Sequence, residues 1–186
     1  MQKHAYWIPT VLAITAAILI AATISGYFPA NSAEKQETVQ DRIRKLEDRE
    51  AIRQLLMDYG VFLDRRDFNA FSQLFAEKEG EWIGGLGKAK GQQAVLKLME
   101  DSIGKDTKGS GAGNYHIFTN DMISIDGDQA KAITKWMFVV QGETSRPQPF
   151  YLGHYEDTIV REGGRWKFLR RVVYGDIPQD DPLAQK

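Results

Sequence analysis

Apolar residues recur at three- and four-residue intervals over residues 39–63: Val39, Ile43, Leu46, Ile52, Leu55, Leu56, Tyr59 and Phe62-Leu63, with Arg, Lys, Asp and Glu filling the gaps. That period predicts one long amphipathic helix with its apolar stripe laid against a sheet. The pattern breaks at Asp64-Arg65-Arg66-Asp67. Asp67 stands where an N-cap is wanted for a second, short helix, which presents Phe68, Phe71, Leu74 and Phe75 to the same core. Glu81-Trp82-Ile83 reads as a short strand and Gly84-Gly85-Leu86-Gly87 as a turn or bulge. These glycines lack the lysine and the strand-to-helix setting that a phosphate-cradling loop needs. A third helix is expected over residues 91–103, where Ala94, Val95, Leu98 and Met99 have helical spacing. The glycine-rich, polar stretch 104–113 is expected to be mobile, either a lid or a slack connection.

From Asn114 onward the period changes to two. Three or four long strands are expected, in the segments 114–125, 130–142, 150–161 and 166–174. Asp126-Gly127-Asp128 and Gly163-Gly164 supply hairpin turns, and a polar, Pro-containing loop joins the middle pair. An antiparallel sheet of this length leaves an apolar face wet unless helices cover it. The expectation is therefore a curled sheet packed on the N-terminal helices, with function between them.

The start of the chain is different in kind. Residues 5–33 carry no formal charge, and residues 6–24 are mostly Ile, Leu, Ala, Val and Thr behind Lys3-His4. An export segment is expected. Its length leaves two readings open: a cleaved signal peptide ending near Ala30-Asn31-Ser32-Ala33, or a retained membrane anchor. Either puts the rest of the chain outside the cytoplasm, as a periplasmic, secreted or tethered protein. The organisation is then 1–33 export segment, 34–39 linker, 40–177 folded domain and 178–186 loose tail.

Composition narrows the chemistry. At 186 residues, with 42% hydrophobic and 11% aromatic residues, one domain with a real core is expected. The formal charge of -1 and a pI near 6.3 give no electrostatic footprint for nucleic acid, so that partner is set aside. Without cysteine there are no disulfides, thiolate nucleophiles or cysteine-ligated metals. The histidines outside the export segment are His116 and His154. With no His-x-x-x-His pair, and with His154 assigned to the other strand face, no metal site is expected. Arg161, Arg165, Lys167, Arg170 and Arg171 alternate with acidic residues and read as a solvated cross-strand charge ladder.

The order of elements resembles the nuclear-transport-factor-2-like (NTF2-like) superfamily: an α+β cone of strongly bent antiparallel sheet wrapped around a long N-terminal helix and two shorter ones, with an internal pocket. Leu46-Glu47-Asp48-Arg49-Glu50-Ala51-Ile52-Arg53-Gln54-Leu55, Tyr59 and Leu63-Asp64-Arg65-Arg66-Asp67-Phe68 resemble the start of its SnoaL-like branch. Tyr115-His116-Ile117-Phe118-Thr119-Asn120, Gly153-His154-Tyr155-Glu156-Asp157 and Arg165-Trp166-Lys167-Phe168 resemble its later hallmarks. Read alone, Asp64 ends a helix and His116 is a hydrogen-bonded core histidine. Resemblance to scytalone dehydratase implies instead that Asp64 orients His116 as an acid/base pair.

Strand alternation then places Asn120 on the face of His116, and Tyr59 lies about one turn before Asp64. Trp136 and Tyr155 are the expected ligand-wall residues, and equally ordinary as core aromatics. The dehydratase has a tyrosine where Leu63 stands, and its second pocket histidine has no counterpart here. The resemblance implies a cofactor-independent dehydratase, isomerase or related lyase acting on a small, apolar, cyclic molecule, and a homodimer. The rival reading is a non-catalytic ligand-binding or dimerisation module of the same fold.

Overall fold

A computed structural model describes residues 37–104 and 114–184. The expected export segment, most of the linker and the expected lid over 105–113 lie outside the described residues. Arg42–Lys186 forms one compact unit. No helix among the described residues is long and apolar enough to cross a membrane.

Helix α1 runs Val39–Asp64. It opens on a reciprocal cap: the Thr38 backbone N–H donates to Asp41 Oδ2 and the Asp41 N–H donates to Thr38 Oγ1, each at 3.1 Å. Thr-x-x-Asp is a capping pattern that satisfies two otherwise orphaned donors. Helix α2, Phe68–Gln73, is capped as expected, Asp67 accepting from the Ala70 N–H. The strands β1 (Glu81–Gly84) and β2 (Gly87–Lys90) form a hairpin, and α3 spans Gln92–Ile103. Four long strands follow: β3 Asn114–Asp126, β4 Gln129–Gln141, β5 Pro147–Glu162 and β6 Arg165–Ile177. Gly163 and Gly164 turn β5 into β6 with φ of 58° and 77°, the paired positive values that a tight hairpin turn of the primed type demands.

The sheet order is β2-β1-β6-β5-β4-β3, antiparallel except where β1 runs parallel to β6. The bent, unclosed sheet wraps the helices as an α+β cone. Its core is aromatic, with Tyr59, Phe71, Phe75 and Phe168 in successive ring contacts at 4.7–5.9 Å.

Three expectations are corrected. First, only the later turns of α1 carry the core stripe. Ile52, Leu55, Leu56 and Tyr59 are buried, whereas Val39, Ile43 and Leu46 are 71%, 42% and 67% exposed, because at 3.6 residues per turn they fall on the opposite side of the helix from that stripe. Second, residues 178–180 are not loose: Gln179–Asp180 pairs back on β6 as β7. Third, the charge ladder on β6 is not all solvated. Arg171 is buried and forks onto Asp157, its Nε and Nη2 donating to the two carboxylate oxygens at 2.8 and 2.7 Å. The reason is a bulge. Thr158 pairs with Arg170 but Ile159 pairs with Phe168, so an extra residue in β6 reverses the alternation and turns Arg171 inward.

Arg161 also leaves the ladder. It reaches Asp48 on α1 and, at 2.9 Å, Asp128, with its guanidinium 4.4 Å from the Trp166 ring centroid. Burial works to raise the Asp48 pKa, but hydrogen bonds from Arg161 and Trp166 outweigh it, and the carboxyl lies below its ordinary value. A depressed carboxyl stabilises the fold above the unfolded pKa of about 3.8 and loses that contribution as pH falls through the folded value. Asp48→Asn is therefore expected to lower stability by on the order of 1 kcal/mol near neutral pH. In urea titrations the gap between variant and parent should close in acid; a constant gap down to about pH 2.5 would refute the assignment.

Candidate functional site

A cavity of about 500 Å³ opens between the end of α1, the end of α3, the β1–β2 hairpin and the concave face of the sheet. Small-molecule sites are commonly of this size. Asp64 is the last residue of α1, where the helix macrodipole disfavours a carboxylate. What holds it there is His116. The His116 backbone N–H donates to Asp64 Oδ2 at 2.9 Å, and His116 Nδ1 lies 2.5 Å from Asp64 Oδ1. Both carboxylate oxygens therefore serve one residue 52 positions away in sequence.

The approach of strand to helix depends on Gly60. A Cβ there would stand 2.5 Å from Phe118 Cε2, so glycine lets β3 close against α1 one turn before Asp64. With Nδ1–H donating to the carboxylate, Nε2 keeps its lone pair. Both side chains line the cavity and are largely covered, 13% exposed for His116 and 17% for Asp64.

The other expected site residues divide. Tyr59, Trp136 and Tyr155 line the cavity; Asn120 does not. At Asn120 the strand bulges: Thr119 pairs with Lys135 but Met122 with Ile133. Asn120 takes a φ of 53° and is exposed, because the extra residue breaks the alternation that would have kept it beside His116. His154 is on the outer face, 2.9 Å from Asp176 and stacked on Tyr174.

Trp136 stacks between Tyr151 and Tyr155, nearly parallel to both at 18° and 19°, and the three rings form an aromatic stretch of the cavity wall. Opposite Trp136 on β5 is Gly153. A Cβ on Gly153 would meet the Tyr174 carbonyl at 2.0 Å and the Trp136 ring at 2.5 Å. Gly153→Ala is expected to cost about 1–3 kcal/mol through overpacking and to displace Trp136. Denaturant midpoints together with the near-ultraviolet tryptophan signal check this; an unchanged midpoint would mean that β5 and β6 are free to part.

Tyr59 accepts a hydrogen bond from Trp82 Nε1 at 2.9 Å. Burial pushes its hydroxyl above the ordinary phenol value, and burial pushes Tyr155 well above it. Both remain neutral hydroxyls at physiological pH. Among the described residues Trp136 Nε1 is buried without a hydrogen-bond partner, an unsatisfied donor in a residue of the cavity wall.

Several other wall residues are not among the expected site residues. Arg66 reaches the wall from the turn after α1, with a φ of 54° and Nη1 donating to the Ile103 carbonyl at 3.0 Å. Asn114, Phe150 and Asp180 also line the cavity. Asp180 arrives on β7, which no hydrophobic period announces. For Asn114 the sequence did carry a signal, since it shares its strand face with His116.

Burial pushes the Asp157 carboxyl up, while pairing with Asp157 outweighs burial at Arg171 and raises that cation's pKa. The two-point fork on separate oxygens fits the ionised form. Its guanidinium lies 4.0–4.2 Å from the ring centroids of Tyr59, Tyr155 and Phe168, directly behind two of the wall residues.

The fold and sequence have known counterparts. An NTF2-like protein with a cystatin-like fold from Novosphingobium aromaticivorans is 25% identical, with a TM-score of 0.68 over 80% of this chain and 97% of that one. A candidate scytalone dehydratase from the same organism is 23% identical, with a TM-score of 0.57 over 76% and 97% of the two chains. The uncharacterized protein Rv2910c of Mycobacterium tuberculosis is 26% identical over 135 residues, spanning 70% of this chain and 86% of its own. The SnoaL-like domain model matches residues 44–172, a stretch that includes Tyr59, Asp64, His116, Trp136 and Tyr155. By that match, the chain belongs to the SnoaL-like domain family.

Proposed function

We propose that this domain is a cofactor-independent acid/base enzyme for a small, apolar, cyclic substrate, with His116 as the proton-transfer group and Asp64 as its orienting partner. One observation carries the reading: both Asp64 oxygens are committed to His116, which leaves Nε2 as the basic nitrogen of a residue in the cavity wall. A base held in one tautomer is what proton abstraction beside a carbonyl requires. The proton moves from the substrate carbon to Nε2 and the electron pair enters the carbonyl. In a dehydratase the β C–O bond then breaks as the electron pair returns from the carbonyl, and the departing hydroxide takes the proton from Nε2 to leave as water, which restores the base; in an isomerase Nε2 returns the proton to another carbon.

The apolar, aromatic wall of Tyr151, Trp136 and Tyr155 suits a small ring-containing molecule. The structural likeness to a candidate scytalone dehydratase supports the dehydratase form of this chemistry. The apolar, charge-free stretch 5–33 behind Lys3 supports action outside the cytoplasm.

The test is exchange of the α-protons of cyclic β-hydroxyketones in D₂O, followed by NMR alongside any elimination. Exchange reports the proton transfer itself and does not need the natural leaving group. Enzyme-dependent exchange is expected. Ligands that bind in the cavity without exchange or turnover would support the rival, a non-catalytic binding module.

A further inference from the structure

The outward side of α1 bears a second apolar stripe. Ile43 and Leu46 are 42% and 67% exposed, with Val39 one turn ahead at 71%, while the core-facing residues of the helix are buried. The spacing of four and then three places Val39, Ile43 and Leu46 at the d, a and d positions of a heptad. Arg42 then falls at g and Glu47 at e. Both are exposed, and neither forms an ion pair among the described residues. The Thr38–Asp41 cap fixes the start of this helix, so the stripe is presented on a formed surface.

We propose that this stripe pairs with the same stripe of a second copy of the chain, in parallel and in register. Charge selects the occupant and its direction. In a parallel pair each g residue faces the e residue five positions further along the partner helix. Arg42 then meets Glu47 of the second copy, and the second copy's Arg42 meets Glu47, so one contact is made twice about the two-fold axis. An antiparallel pair instead brings g residues beside g residues and e beside e, so the Arg42 side chains gather along one flank of the seam and the Glu47 side chains along the other, and like charges meet. The seam ends where Glu50 occupies the next a position and like charges would meet. It therefore involves the first turns of α1 and leaves the cavity, at the other end of the helix, open.

The chain has no cysteine, so an introduced thiol reports without background. In a parallel pair, Leu46 lies opposite Leu46 at a separation suited to a disulfide, about 4.4–6.8 Å between Cα atoms. The experiment uses the full chain carrying Leu46→Cys under mild oxidation, with Arg44→Cys on another side of the helix as control. A disulfide-linked dimer is expected from Leu46→Cys and not from the control. Adding Arg42→Glu should lower the crosslinked fraction about threefold, and adding Glu47→Arg to that variant should restore it.

Equal crosslinking from both thiols, or a double charge exchange that fails to restore crosslinking, would overturn the proposal. So would a Leu46→Cys variant that stays monomeric with its introduced thiol reacting freely with an alkylating reagent. A monomer whose thiol is protected from alkylation would show that another part of the same chain covers the stripe, which also overturns it. Circular dichroism confirms that each exposed-site variant keeps its helix content.

Discussion

Replacing Arg171 with Ala is expected to cost about 3–5 kcal/mol of folding stability, measured by urea or guanidinium titration. The size follows from what is left behind. Asp157 is 4% exposed and accepts two hydrogen bonds from this one side chain. Without them its carboxylate must stay charged in an apolar core or take up a proton, and either is costly. The substitution also empties the space beside Tyr59, Tyr155 and Phe168.

Removing both charges at once should behave differently. Arg171→Met with Asp157→Leu keeps much of the volume and leaves no orphaned charge, so it is expected to recover most of the loss. Because Tyr59 and Tyr155 form part of the cavity wall, ligand affinity should follow stability in the single variant and return in the double one. A single variant within about 1 kcal/mol of the parent would mean that the pair is dispensable.

The sequence read well wherever one period ran unbroken, and misled where a strand changed phase. The alternation Ala130, Ala132, Thr134, Trp136, Phe138 holds along β4, so Trp136 is found in the wall where the period puts it. On β3 the same rule brings Asn114, His116 and Phe118 to one face, then fails at the bulge and sends Asn120 out to solvent. On β6 another bulge carries Arg171 inward from a run of basic residues that otherwise looked solvated.

Bulges add one residue to one strand, and no local composition marks these two, so period-two reading cannot find them. The pairing of Asp64 with His116 is a different case. No local pattern joins residues 52 positions apart; the resemblance pointed to the pair, and the approach at Gly60 is the physical means by which helix and strand come together. The outward stripe of α1 was visible as periodicity and misassigned, because period alone does not tell a face packed on its own sheet from one left outside.

The second large effect concerns catalysis. His116→Ala is expected to reduce α-proton exchange and any accompanying turnover by about 10²–10⁴-fold, while the fold is kept, at a cost of about 1–3 kcal/mol because Asp64 loses its Nδ1 donor, and much of the ligand affinity is retained. Asp64→Asn is the sharper probe. An amide has one oxygen where the carboxylate has two, so the His116 N–H and Nδ1–H can no longer each have an acceptor of its own. The amide group can also donate to Nδ1, which favours the tautomer with the proton on Nε2 and removes the lone pair that abstracts the substrate proton. The expectation is a loss in kcat with KM nearly unchanged, since a positioning residue acts through the base and not on the bound ligand. Asp64→Ala, which removes the competing donor, should keep more activity than Asp64→Asn if the tautomer is what matters, and less if the negative charge itself supports the imidazolium formed in the reaction. Exchange that persists unchanged in His116→Ala would remove this residue from the mechanism. Binding without exchange in the parent and all three variants would place the chain with the non-catalytic members of its fold.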